Sequence, residues 1–214
     1  MRVLAYAGLA GVFLATAAGA GEELYAETHV AAPFEEEPVT LSPEARALPP
    51  GTKVARIEFA RGNVEVQLFT EETPVTAGNF IRLVEEGFYD GIPVHRVEDF
   101  VVQAGDPTRV GRELPDLELE LEPDARECKR GIMSMARYAW YDEETGERVY
   151  GATSPTQFFI LKLDTPRLDP DFCVFGAVVA GMEVVDAVEV DDVIERLRIV
   201  TVGAEEAPPA TVED

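Results

Sequence analysis

The chain has 214 residues, 46% of them hydrophobic, which is enough for one domain of ordinary size plus extensions and rules out a wholly disordered polymer. Its 41 acidic residues outnumber 18 basic ones and leave a formal net charge of -23, which argues against nucleic acid and anionic membrane surfaces, since both require a cationic face. Such acidity suits either a saline medium or simple solubility. The 15 prolines and 17 glycines imply frequent turns rather than a long helical bundle.

At the N-terminus, Arg2 precedes an uninterrupted run of apolar and small residues from Val3 to Ala17, closed by Ala18-Gly19-Ala20. This is the pattern of a signal peptide over residues 1–20, cleaved after Ala20, and it predicts an exported chain, periplasmic or secreted. The alternative is an uncleaved membrane anchor, for which the run is short. Residues 21–52 are rich in Glu, Ala and Pro and read as a flexible linker, with one short helix able to start at Ser42 (N-cap) and Pro43.

A compact block follows over residues 53–203. Val54 to Phe59 and Val64 to Phe69 alternate apolar and polar residues across a turn at Arg61-Gly62-Asn63, which predicts a β-hairpin. Thr73-Pro74 opens a helix with Ala77, Phe80, Ile81 and Val84 on one face, stopped by Gly87. Short strands are predicted at Val94–Val97, Phe100–Gln103, Ile132–Met135, Phe158–Leu161 and Val174–Val179. A second helix is predicted at Met182–Val188 and a last strand at Val193–Val202. Many short strands with two helices predict a mainly β fold, a closed antiparallel barrel with helices over its ends. Residues 204–214 are acidic with paired prolines and read as a disordered tail.

The usual hydrolytic and metal chemistries find no support. Ser134 is not in a nucleophile elbow. No phosphate-cradling loop follows Gly105-Asp106-Pro107. His29, His95, Cys128 and Cys173 show no metal-ligand spacing, so neither metal nor cofactor is expected. Export permits a disulfide between Cys128 and Cys173; two buried thiols are the alternative.

What the usual chemistries leave unexplained is Arg96 beside Phe-rich strands, since a long cation there has to pair with an acid or bind something. The run from Phe88-Tyr89-Asp90-Gly91 through His95-Arg96-Val97 and Phe100-Val101-Val102-Gln103-Ala104-Gly105-Asp106-Pro107-Thr108 is similar to the cyclophilin signature. Met135-Ala136-Arg137, Gln157-Phe158-Phe159-Ile160, Val174-Phe175-Gly176 and Gly181-Met182-Glu183-Val184-Val185-Asp186 follow in that family's order. The resemblance covers about residues 53–202. It implies a closed eight-stranded antiparallel β-barrel capped by two α-helices, and peptidyl-prolyl cis-trans isomerase activity. The implied partners are proline-containing peptides and unfolded client proteins, with no nucleic acid, and the chain is expected to be a monomer. Carried over by position, Arg96 is the catalytic arginine and Gln103 orients it. Phe100, Val101 and Phe159 wall the proline pocket, with Leu168 and Phe172 at its rim. Ala136, Arg137 and Gln157 line the groove for the residues before proline, and Gly111 matches a glycine of a neighbouring loop. A non-catalytic module of the same fold, binding proline segments as a holdase or scaffold, is the competing reading.

Three positions differ from the best-known eukaryotic members: Arg137 stands for Asn, Arg167 for a rim Trp and Phe172 for His. The Trp position implies weak cyclosporin binding. Nineteen residues separate Arg137 from Gln157, more than most bacterial members have. Within them Tyr138-Ala139-Trp140-Tyr141 and Arg148-Val149-Tyr150 are β-prone runs around an acidic turn, which predicts a hairpin at the groove that extends client recognition.

Overall fold

The structure, a computed structural model, describes residues 39–117, 119–122, 126–169 and 171–204. The expected signal peptide, the first part of the expected linker and nearly all of the acidic tail lie outside the described residues.

The elements in chain order are α1 (Pro43–Arg46), β1 (Lys53–Phe59), β2 (Gly62–Leu68), α2 (Pro74–Glu85), β3 (Arg96–Glu98), β4 (Val101–Ala104), β5 (Ile132–Tyr141), β6 (Arg148–Leu161), β7 (Val174–Ala180), α3 (Met182–Ala187) and β8 (Arg196–Thr201). Short 3₁₀ turns cover Pro107–Val110 and Pro166–Leu168. The strands form one curled antiparallel sheet in the order β3-β4-β6-β5-β7-β2-β1-β8. The expectation of a fully closed barrel needs correction, because no ladder joins the edge strands β3 and β8 among the described residues. Instead the segments leading into them meet at an isolated Pro93–Val193 bridge, where Ile194 N donates to Ile92 O and Val94 N to Asp192 O. Pro93 and Val193 form a non-hydrogen-bonded pair, and the residues on either side carry the bonds across the seam.

Alternation along the strands sorts the side chains into two layers. Val102, Ala104, Met133, Met135, Phe158 and Ile160 join Ile57, Val64, Val66 and Phe175 in the main core, on the inner face of the curl. The two longer helices are anchored in that core, α2 through Ala77, Phe80, Leu83 and Val84, and α3 through Val184 and Val185. The intervening residues Val101, Ile132, Phe159 and Leu161 face outward into a second cluster with Cys128, Leu168 and Val174. Two-sided burial explains why these strands read as nearly continuous apolar runs. Both cysteines are buried, with Cys173 Sγ 3.8 Å from Thr76 Oγ1.

The described end of the expected linker carries α1. Leu41 and Ala45 are buried against Val54 and Val202. Ser42 caps α1 by accepting from Ala45 N, and its own N–H and hydroxyl donate to the buried Glu65 carboxylate, which also pairs with Arg56 at 3.1 Å. Glu65 sits on the outer face of β2, and α1 covers it, so a carboxylate that would be costly to bury alone is fully bonded.

The hairpin between Arg137 and Gln157 is present as an extension of β5 and β6, with Ala139 opposite Tyr150, Trp140 opposite Val149 and Tyr141 opposite Arg148. Register shifts at Arg137 mark where it bends away from the main sheet. Asp142 closes its turn by accepting from the N–H groups of Glu144 and Thr145, and these bonds hold its carboxyl below the usual carboxylate range. The Trp140 ring lies over Gly151, where a Cβ would come within 2.8 Å of it.

Candidate active site

Strand register assembles the site. Arg96 on β3 stands opposite Gln103 on β4, and Gln103 stands opposite Phe159 on β6. Directly opposed residues share a face, so all three project outward as one cross-strand row. Two residues along β3, Glu98 falls on the same face, which brings its carboxylate to Arg96.

The row carries an ordered chain of hydrogen bonds. Arg96 Nη1 donates to Gln103 Oε1 at 3.0 Å, and Gln103 Nε2 donates to Gln157 Oε1 at 2.9 Å. Arg96 Nε donates to Glu98 Oε1 at 2.7 Å, and this bond holds the Glu98 carboxyl below its ordinary range. These contacts fix the plane of the guanidinium. Among the described residues Nη2 has no partner, so that donor is available at the mouth of the cleft.

Beside the row lies an open cleft of about 380 Å³. Its floor and walls are Val101, Phe159, Leu168, Phe100 and Phe172, with Ala136 at one side. Phe172 meets Phe159 edge-to-face at 5.3 Å and Tyr150 at 5.1 Å, which fixes the aromatic wall. Phe100 is half-buried between two guanidinium groups, Arg167 at 5.0 Å and Arg96 at 5.7 Å from its ring centre.

Every residue expected at the site is brought together here except two. Gln157 stands one layer out, bonded to Gln103 rather than lining the cleft. Gly111 ends the 3₁₀ turn Pro107–Val110 in a left-handed conformation and does not line the cleft. Arg137 does line it, but its guanidinium is committed to backbone carbonyls, those of Gly151 at 2.8 and 3.0 Å and Asp171 at 2.7 Å. It therefore ties the hairpin to the loop before β7. Sequence reasoning placed the hairpin near the groove but missed Arg148 and Tyr150 as lining residues. The available signal was strand period, since Tyr150 and Arg148 alternate onto the face shared by Ala139.

His95, next to Arg96, is half-buried, and burial pushes its pKa below the ordinary value, partly offset by Asp106 and by a hydrogen bond with Gln157. Its Nδ1 has no partner among the described residues. No group of three or more His, Cys, Asp or Glu side chains is arranged to hold a metal ion among the described residues.

The chain matches the model of the family described as cyclophilin type peptidyl-prolyl cis-trans isomerase/CLD over residues 54–206. It is 37% identical over 134 residues to a peptidyl-prolyl cis-trans isomerase, ppi1, of Schizosaccharomyces pombe, covering 60% of this chain and 79% of that protein. It is 35% identical over 151 residues to a peptidyl-prolyl cis-trans isomerase of Helicobacter pylori, covering 68% and 86%. Among solved structures, a cyclophilin type peptidyl-prolyl cis-trans isomerase of Cryptosporidium parvum shares the fold with a TM-score of 0.57 at 23% identity, covering 70% of this chain and 98% of that one. A second structure of the Cryptosporidium protein, determined in the presence of the dipeptide Ala-Pro, aligns with a TM-score of 0.53. A family model spanning most of the chain, joined to relatives above 30% identity that it covers for most of their length, establishes that this chain belongs to the cyclophilin-type peptidyl-prolyl cis-trans isomerase family.

Proposed function

We propose that the cleft catalyses cis–trans isomerisation of X-Pro peptide bonds in exported proteins and so assists their folding. The observation that carries this reading is Arg96, held in plane by Gln103 and Glu98 at the mouth of a cleft with an aromatic wall, with one guanidinium nitrogen unused.

The chemistry follows from proline. Its amide is tertiary, so cis and trans lie close in energy, and the barrier of about 18–20 kcal/mol is lost amide resonance. Phe100, Val101 and Phe159, with Leu168 and Phe172 at the rim, grip the apolar ring by excluding water. The preceding residue then rotates against it. As the amide twists, its nitrogen becomes pyramidal and gains a lone pair. The Arg96 guanidinium donates there and to the carbonyl, stabilising the twisted state more than either planar one. Raising exchange from tens of seconds to hundreds of turnovers per second takes on the order of 5–7 kcal/mol of such differential stabilisation. No proton transfer or nucleophile takes part. Gln103 and Gln157 act as positioning residues behind Arg96.

Exchange NMR on a capped X-Pro peptide with the purified chain tests the reading. Line broadening or exchange peaks at catalytic amounts of protein support it; saturating binding without exchange assigns the cleft to a holdase instead. Export is supported by the apolar run from Val3 to Ala17 and its Ala18-Gly19-Ala20 end, and mass spectrometry that finds the exported chain beginning at Met1 would refute cleavage.

A further inference from the structure

The charge of the cleft opposes that of the chain. Acidic residues outnumber basic ones 41 to 18 overall, yet the cleft is lined by four arginines, Arg96, Arg137, Arg148 and Arg167, and by no Asp or Glu. Only Arg96 has a carboxylate partner, Glu98. Arg137 bonds to uncharged carbonyls, so its charge is not neutralised.

Arg148 and Arg167 have no ion pair among the described residues, although both lie near enough to Glu98, the partner of Arg96, to help hold its carboxyl low. Each is exposed and rests on an aromatic ring of the cleft, Arg148 5.1 Å from the centre of Tyr150 and Arg167 5.0 Å from that of Phe100. A guanidinium held against a ring is pre-oriented, while the N–H groups along its edge stay open to a carboxylate. Elsewhere Arg56, Arg61, Arg82, Arg126 and Arg130 sit against acids, while Arg46 and Arg112 bond only to backbone carbonyls; what sets Arg148 and Arg167 apart is that they stand together at one cleft.

We infer that the cleft selects acidic X-Pro segments, with Asp or Glu flanking the proline, and that Arg148 and Arg167 read those carboxylates. The inference rests on the proposed isomerase reading and adds the substrate class. The remaining negative charge of the chain acts at longer range. At physiological salt the screening length is about 8 Å, so a carboxylate in the cleft responds chiefly to the arginines around it.

The test compares capped pentapeptides Ala-Xaa-Pro-Xaa-Ala with Xaa as Glu, Gln or Lys, measured by exchange NMR at neutral pH and physiological salt. A solvent-exposed Arg–carboxylate contact is worth a factor of about 1.5–5, so several together predict kcat/KM on the order of tenfold higher for the Glu peptide than for Gln, with Lys below Gln. In Arg148→Gln/Arg167→Gln the Glu-to-Gln ratio should fall below about twofold, and the Gln peptide in the same sample controls for folding. Equal rates for Glu and Gln in the wild type, or a preference surviving the double substitution, would overturn the inference. If the wild type exchanges none of the three, the isomerase reading itself fails. Chemical-shift titration of the Glu and Gln peptides then decides the selectivity, with equal affinities overturning it.

Discussion

Removing the Arg96 guanidinium isolates the electrostatic part of the proposed mechanism. Arg96→Ala leaves Val101, Phe100 and Phe159 in place, so the proline ring should still be held. The ion pair it breaks is with Glu98, whose side chain is 47% exposed and regains water, so the cost in stability should stay below about 1 kcal/mol. The transition state, by contrast, loses donors aimed at a developing lone pair. Removing one such donor from a preorganised site costs about 10²–10³ in rate, or roughly 2.7–4 kcal/mol. The Arg96 side chain is 38% exposed, and water at the mouth of the cleft weakens its field, which places the expectation near 10². Arg96→Lys should recover little. An ammonium's three donors sit on one nitrogen, which cannot reach the separate positions that the planar fork spans at Gln103, Glu98 and the substrate. The assay is exchange NMR on one X-Pro peptide with wild type and both variants, alongside thermal melts. A variant that binds the peptide and melts like wild type but exchanges about a hundredfold slower fits the mechanism. Arg96→Ala exchanging at the wild-type rate would refute it.

Other regions give independent expectations. Burial holds the folded-state pKa of His95 below its ordinary value of 6.5, so on acidification the unfolded chain takes up this proton first. Stability should therefore fall as pH drops below about 6.5 and level off beneath the folded-state pKa. His95→Gln should flatten that slope in urea denaturation series between pH 7 and 5, and an unchanged slope would contradict the assignment. Gly105 has φ +89°, and a Cβ there would strike the Thr156 carbonyl on the neighbouring strand. Gly105→Ala should cost more than about 1 kcal/mol, read as a lowered denaturation midpoint. Cyclosporin should bind weakly, because the resemblance implies that the hydrated Arg167 guanidinium takes the position of a rim indole; tight binding by calorimetry would refute that equivalence.

The central row was legible in the sequence because motif order tied Arg96, Gln103 and Phe159 to one another, and the register places them side by side. The strands themselves were legible as β, but their lengths were not. The second halves of β5 and β6 carry exposed Tyr138, Trp140 and Tyr141, and no burial alternation marks them as one continuous ladder with Ile132 and Leu161. Closure was overestimated because the Val94 and Val193 runs look like strands, whereas they meet only at an isolated bridge. The docking of Leu41 and Ala45 had no periodic signal, since two apolar residues in a four-residue helix define no face. Charge pairing was not readable either. At this net charge any arginine has acids near it in sequence, and only the fold separates Arg130, paired with Asp186, from Arg148, which is paired with none among the described residues.

Trp140 is the only tryptophan in the chain, and it lies about half exposed on the hairpin, across the strand pair from Tyr150 and Arg148 at the cleft. The protein thus carries its own optical reporter. Excitation at the red edge, where the six tyrosines do not absorb, would follow the hairpin alone. A peptide settling against Tyr150 would register as a change in emission from the opposite face, without any label.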